Sequence, residues 1–282
     1  MSSKDIEGVV FTGSTNTAAN INKALVAREN ASIPTIIAET GGLNAMIVDS
    51  SSLLEQAIDD IIISAFHSAG QRCSALRVAF VQEEVADSLI QMLKGAVPAL
   101  KIGDPKEIST DIGPLIDAVS LGNISTYCKQ AAKKFKVIHY DSEALTEGNF
   151  LNPCIFELSD PNDLKEEIFG PVLHIVRYRL AELDKVIDYL NNTGFALTFG
   201  IHSRINSRIQ YVLDRIRIGN VYVNRSMIGA TVGVQPFGGE GLSGTGPKAG
   251  GENYLKRLSF ERVVSTNTTA LGGNIELYTA ND

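Results

Sequence analysis

Cys73 can act as a nucleophile. It lies in the string Ser68-Ala69-Gly70-Gln71-Arg72-Cys73-Ser74. A sulfur attacks as the thiolate, and Arg72 beside it brings positive charge that favours that form. Gly70 is a helix-stopping residue, so the N–H groups after it, that of Cys73 included, lack helical acceptors and can donate to an oxyanion. A lone cysteine is more often an inert core residue. Cys128, within a helical pattern, and Cys154, beside Pro153, keep that reading. Upstream, Glu39-Thr40-Gly41-Gly42 sets a carboxylate at a strand end, followed by two glycines that let the backbone approach a ligand closely. Alone, such a glutamate is a solvated carboxylate or half of a salt bridge. Near a thiol that has captured a carbonyl compound, it is a candidate general base.

Three further strings bear on chemistry. Phe11-Thr12-Gly13-Ser14-Thr15 is a glycine turn opening a helix, where free N–H groups and the helix dipole suit a phosphate as well as an ordinary cap. Glu166-Glu167-Ile168-Phe169-Gly170-Pro171 reads by itself as a turn into a strand. Pro236 to Gly251 carries seven glycines and reads as a long shaped loop that can present N–H groups and a serine hydroxyl to a carboxylate. Within it, Gly244-Thr245-Gly246-Pro247-Lys248-Ala249 matches a dinucleotide fingerprint only formally, since no strand precedes it. His67, His139, His174 and His202 have no metal-ligand spacing, so no metal site is expected.

These residues need a scaffold. Short apolar runs predict strands over Gly8–Thr12, Ile33–Ala38, Ala45–Val48 and Leu76–Val81, and further ones over Lys136–His139, Val172–Val176 and Val221–Val223. Helical patterns cover Thr15–Arg28, Val85–Leu93, Leu121–Lys134, Leu183–Leu190 and Asn206–Ile216. Ser52 to Glu55 reads as a capping box opening another helix. Its apolar positions Leu53, Leu54, Ala57, Ile58, Ile61, Ile62, Ala65 and Phe66 keep the 3.6-residue period, and Gly70 is the expected stop. Cys73 then falls in the turn before a strand, where rigid elements can aim it. The alternation predicts an α/β fold with a partly parallel sheet covered by helices. Leu258–Val264 and Ile275–Leu277 look like strands of a terminal arm.

The bulk properties exclude several classes. A chain of 282 residues with 44% hydrophobic and 20% charged residues is an ordinary globular composition. It is long enough to bury roughly 75% of its unfolded surface without staples. The net charge of −7, without a basic stripe, argues against nucleic acid. No apolar run reaches the ~18 residues of a membrane span, and the first residues lack a signal core. Three widely spaced cysteines suggest neither a disulfide framework nor a zinc site, and fit a reducing cytoplasmic setting.

Taken together, the strings resemble the aldehyde dehydrogenase superfamily over essentially the whole chain. The resemblance implies that fold's catalytic domain, with Cys73 as nucleophile and Glu39 as base; Thr40 stands where leucine is usual. It implies NAD as cofactor, with Gly13 and Ser14 at the pyrophosphate, Glu167 at the nicotinamide ribose and Phe169 near the nicotinamide. The usual downstream glycine of the first turn is replaced by the run Asn16-Thr17-Ala18. Residues 224–239 resemble the substrate-pocket end of that superfamily, and residues 240–251 and 267–274 resemble the L-glutamate γ-semialdehyde (1-pyrroline-5-carboxylate) dehydrogenases of bacterial proline utilisation. That likeness makes Ser243 and Gly244, then Arg72 and Ser74, candidates for the substrate α-carboxylate, with Phe237 lining its aliphatic stem. Residues 1–38 are then expected to be a remnant of the cofactor domain, 39–240 the catalytic domain, and 241–282 an anchor loop and oligomerisation arm. The first half of the cofactor domain is missing by this comparison, so the isolated chain is expected to be inactive. A homo-oligomer is implied, and a proline dehydrogenase domain is compatible with the full-length protein. Two other readings stay open: a non-catalytic assembly module, or a thiol acyl-hydrolase pairing Cys73 with His67.

Overall fold

The computed structural model describes residues 3–141, 148–267 and 269. Strand β1 (Gly8–Thr12), helix α1 (Thr15–Val26) and strand β2 (Thr35–Glu39) form a β-α-β unit whose two strands pair in parallel, with Thr12 opposite Glu39. Ser14 starts α1 from an extended conformation, and its hydroxyl oxygen accepts the Thr17 N–H at 3.1 Å, a standard N-cap. The register of this pair therefore puts the start of α1 beside the end of β2.

The rest of the chain builds a larger layer. In order come β3 (Ala45–Val48), α2 (Leu54–Phe66), β4 (Val78–Gln82), α3 (Glu83–Ala96), α4 (Ala118–Lys134), β5 (Lys136–His139), β6 (Cys154–Leu158) and β7 (Val172–Tyr178). Then follow α5 (Leu183–Asn192), β8 (Phe195–Ala196), β9 (Thr198–His202), α6 (Asn206–Leu213), β10 (Asn220–Val223), β11 (Glu240–Gly241) and α7 (Asn253–Lys256). Seven strands form one sheet in the order β10-β9-β3-β4-β7-β6-β5. Every pair in it is parallel except β5 with β6. Strands β3, β4 and β9 are buried along their whole length. That is why the runs from Ala45 to Val48 and from Val78 to Val81 are apolar without alternation: both faces of a parallel sheet are covered. Helices α2 and α3 pack on β7, α3 also on β4, and α4 on β6. Phe66, Phe80, Phe156 and Phe199 fill the core between them.

The α/β class and the parallel-dominated sheet agree with expectation; several local details differ. Helix α2 starts at Leu54 without a side-chain cap. Ser52 is buried and its hydroxyl donates to the His202 carbonyl at 2.6 Å, so a tertiary acceptor outcompetes the local capping box. The same helix ends at Phe66 rather than at Gly70. Strands β6 and β9 arise from stretches with no period-2 signal. Leu258–Val264 forms no strand; Phe260 and Val263 are 86% and 88% exposed and lack a β partner among the described residues. The expected strand Ile275–Leu277 lies outside the described residues.

Candidate active site

Between α2 and β4 the chain makes an unusual turn. Ser68, Ala69 and Gly70 are all left-handed, with φ of 56°, 54° and 65°. For the two non-glycine residues this conformation costs on the order of 1 kcal/mol each and persists only where tertiary contacts hold it. Here they do. Leu76 N–H donates to Ser64 O at 3.0 Å and Gln71 N–H to Ser68 O at 3.0 Å. The Arg77 guanidinium, fully buried, donates to Gly70 O at 2.7 Å and to Arg72 O at 3.0 Å. Asn44, just before β3, donates from its amide to Cys73 O at 2.6 Å and Ala75 O at 2.9 Å, while its Oδ1 accepts the Thr198 N–H at 3.2 Å. The turn that carries the thiol is thus tied to the β3 and β9 strands.

Cys73 is partly buried. Burial pushes its thiol above the ordinary value, and the nearby Glu167 and Glu39 carboxylates push the same way, while the N–H groups of Ser74 and Cys73 face the sulfur and oppose them. The expectation that Arg72 favours the thiolate needs correction: the Arg72 side chain is exposed, its Nε donates to Ser68 Oγ at 3.0 Å, and it is not a cause of the shift.

Glu39 ends β2. Its Oε2 accepts the Gly239 N–H at 2.9 Å, and its Oε1 is buried without a hydrogen-bond partner among the described residues. Burial raises this carboxyl to about 7, against the Gly239 hydrogen bond and the charge of Lys248, which lower it. A carboxylate near 7 is poised for proton transfer at neutral pH. Gly238 and Gly244 approach it so closely that an added Cβ would sit 2.5 Å from Oε1 or 3.2 Å from Oε2, respectively. These two glycines leave room for the Glu39 carboxylate.

A cavity of about 600 Å³ is lined by Thr12, Gly13, Ser14, Glu39, Cys73, Glu167 and Phe169, with Asn16, Lys165 and Phe195 among the others. Cys73 and Glu39, far apart in sequence, therefore face one space, together with the start of α1. Glu167 Oε1 pairs with Arg77 at 2.8 Å and its Oε2 accepts the Gly42 N–H at 3.2 Å. The Phe169 ring stacks 5.2 Å from the Arg77 guanidinium.

Five expected substrate contacts are not in that lining: Arg72, Ser74, Phe237, Ser243 and Gly244. Ser243 is corrected outright. It is fully buried, and its hydroxyl accepts the Ala196 N–H at 3.0 Å, so it locks the loop and has no exposed surface for a ligand. Gly244 is buried and bridges to Glu39 in the chain direction opposite to β2. Ser74 is buried, Phe237 is half-buried and backbone-paired with Ala249, and Arg72 is exposed beside Cys73. His67 does not line the cavity either. The sequence reading passed over Asn44, Arg77 and Lys248. For Asn44 and Arg77 the signal was a polar residue at the edge of an apolar run, whereas Lys248 lies within the glycine-rich loop.

Comparison with known proteins fits this geometry. The pattern of the Aldehyde dehydrogenase family matches residues 1–264. The chain is 49% identical over 270 residues to the "Bifunctional protein PutA" of Klebsiella aerogenes, covering 93% of this chain and 21% of that protein. It is 37% identical over 222 residues to the 1-pyrroline-5-carboxylate dehydrogenase of a Geobacillus species, covering 78% of this chain and 43% of that one. The structure superposes on proline utilization A from Bradyrhizobium japonicum with a TM-score of 0.92 at 52% identity, covering 96% of this chain and 28% of the other. On a Thermus 1-pyrroline-5-carboxylate dehydrogenase with bound NAD the TM-score is 0.85 at 30% identity, covering 91% of this chain and 50% of the other. The chain thus spans about a fifth of the length of its PutA relatives. With its thiol, carboxylate and glycine turn around one cavity, the chain belongs to the aldehyde dehydrogenase family.

Proposed function

We propose that this chain is the catalytic portion of an NAD-dependent dehydrogenase that oxidises L-glutamate γ-semialdehyde to L-glutamate in proline breakdown. The observation that carries the reading is the single cavity shared by Cys73, Glu39 and the start of α1. The residues fit the cofactor. Among the described residues, the N–H groups of Thr15 and Asn16 have no backbone acceptor at the mouth of the helix. They lie beside Gly13, where an added Cβ would collide with the Phe11 ring at 2.5 Å. Such a helix start suits a pyrophosphate. Glu167 would meet ribose hydroxyls and Phe169 the nicotinamide. When bound, NAD supplies the hydride acceptor.

The chain's own residues do the rest. The Cys73 thiolate adds to the aldehyde carbon, and the N–H groups facing the sulfur stabilise the resulting oxyanion. After oxidation, the thioester on Cys73 is attacked by water, and Glu39 takes the water proton. Arg72, exposed beside the thiol, is the proposed partner of the substrate carboxylate. The cysteines are all free, as a reducing cytoplasm would keep them. The exposed apolar residues after Arg257 support an arm used in a homo-oligomer, and the PutA relatives support a partner proline dehydrogenase domain in the full-length protein.

The test is NAD reduction by the intact protein with glutamate semialdehyde, alongside the variants C73A and E39Q. Loss of reduction in C73A and accumulation of an acyl-enzyme mass in E39Q are expected. Undiminished turnover in C73A would remove the proposed chemistry.

A further inference from the structure

Outside the residues already given roles, one side chain reaches the base from a distant loop. Lys248 Nζ donates to the Gly238 carbonyl oxygen at 2.7 Å, and Asn220 Nδ2 donates to the same oxygen at 2.9 Å. That carbonyl belongs to the peptide group whose N–H, on Gly239, donates to Glu39 Oε2 at 2.9 Å. The result is a continuous line: ammonium, carbonyl, peptide N–H, carboxylate. Donors on a peptide oxygen polarise its N–H, so the far end becomes a stronger donor, and more so when the first donor is charged.

We propose that Lys248 is a positioning residue for Glu39, acting through the Gly238–Gly239 peptide, with Asn220 as the neutral second anchor of the same carbonyl. The proposal rests on Glu39 being the base. Lys248 is not among the residues that line the cavity. Its role is to fix the orientation of one peptide and to favour the ionised carboxylate at its end. The surroundings allow this. Gly238 has no side chain to block the approach, since a Cβ there would lie 2.5 Å from Glu39 Oε1 and 3.2 Å from the Lys248 backbone. The charged or titratable groups that act on Glu39 or on this line are Lys248 from the glycine loop, Cys73 from the nucleophile turn, and Glu240, which bears on Lys248. Glu167 acts on Cys73 across the cavity. Lys248 is the cationic member of that set.

Ester hydrolysis isolates the step without nucleotide. With p-nitrophenyl acetate, the Cys73 thiolate adds to the ester carbonyl and p-nitrophenolate leaves with the C–O bonding pair. Water then adds to the thioester, its proton goes to Glu39, and the C–S bond breaks to release acetate and the thiolate. In the intact protein the burst reads acylation, and the slow phase reads deacylation across a pH series. K248M is expected to move the midpoint of the deacylation limb up by roughly one pH unit, because loss of the cation favours the protonated carboxyl. K248R is expected to keep the parent midpoint. N220A, which removes an uncharged donor, is expected to slow deacylation with a smaller shift. Should K248M fail to fold by circular dichroism, K248Q carries the same expectation of an upward shift. A K248M or K248Q midpoint equal to that of the parent, with E39Q still slowing deacylation, overturns the role of Lys248 and leaves Glu39 as base. Deacylation untouched in E39Q overturns both.

Discussion

At the scale of single residues, the site is governed by burial competing with a few short hydrogen bonds. Glu39 illustrates the balance. Its folded value of about 7 lies above the ordinary 4.5, so the folded protein holds a proton there that the unfolded chain has lost. Stability from this group is present below the ordinary value and declines as pH rises through about 7. In the proposed mechanism deacylation runs the other way, because only the ionised form accepts a proton. Deacylation measured by stopped flow is expected to rise with pH along a limb centred near 7; a limb centred near 4.5 would contradict the burial argument. The thiol is coupled to the same group. Because the Glu39 carboxylate raises Cys73, E39Q is expected to lower the pH midpoint of iodoacetamide modification of Cys73. An unchanged midpoint would mean that the two groups do not sense each other.

At the scale of elements, Arg77 joins two segments that meet only in the folded state. It holds the carbonyls of Gly70 and Arg72 on one side and the Glu167 carboxylate on the other. Its side chain is 1% exposed and that of Glu167 17%, so the pair is screened little by water. Removing one partner of a buried pair leaves a charge without compensation, at about 3–5 kcal/mol. R77L is expected to lower stability in urea by that order, and R77L combined with E167L to recover much of it. A loss below 1 kcal/mol in R77L would show that the ion pair is dispensable. Gly70 makes the same point through the backbone. Its φ is +65°, and an added Cβ would lie 2.1 Å from Gly170 O. G70A is therefore expected to cost roughly 2 kcal/mol or more and to slow Cys73 acylation, since the two loops would have to part. Equal melting temperatures for G70A and the parent would refute this close fit.

At the scale of the whole molecule, the seven-stranded sheet carries the turn with Cys73, while the two-stranded unit carries Glu39 and the start of α1. The cavity shared by Cys73 and Glu39 lies where they meet. The glycine loop is the fastener: Thr40 N–H donates to Ser243 O, Thr245 N–H to Ala38 O, and Gly239 N–H to Glu39. Beyond it, Leu258, Phe260, Val263 and Val264 are exposed, and surface of that kind commonly marks an interaction site. Deleting residues 258–282 is expected to reduce the mass seen in sedimentation while leaving the melting temperature within a few degrees. An unchanged mass would remove the arm from assembly.

The sequence by itself determined the fold class and pointed to part of the cavity wall: Gly13, Ser14, Glu39, Cys73, Glu167 and Phe169 line it, whereas Arg72, Ser74, Phe237, Ser243 and Gly244 do not. Fully apolar runs such as Val78 to Val81 announce strands covered on both faces, and the strings around Gly13, Glu39, Cys73 and Glu167 each carry their chemistry within a few residues. Tertiary structure alone decided how those strings are held. The left-handed turn at Ser68 and Ala69 has no local cause, and Ser52, Asn44, Arg77 and Lys248 find partners far along the chain. It also decided against Ser243, whose buried hydroxyl accepts the Ala196 N–H of β8. A motif records which atoms are near in sequence, whereas burial and hydrogen-bond completion act on atoms near in space.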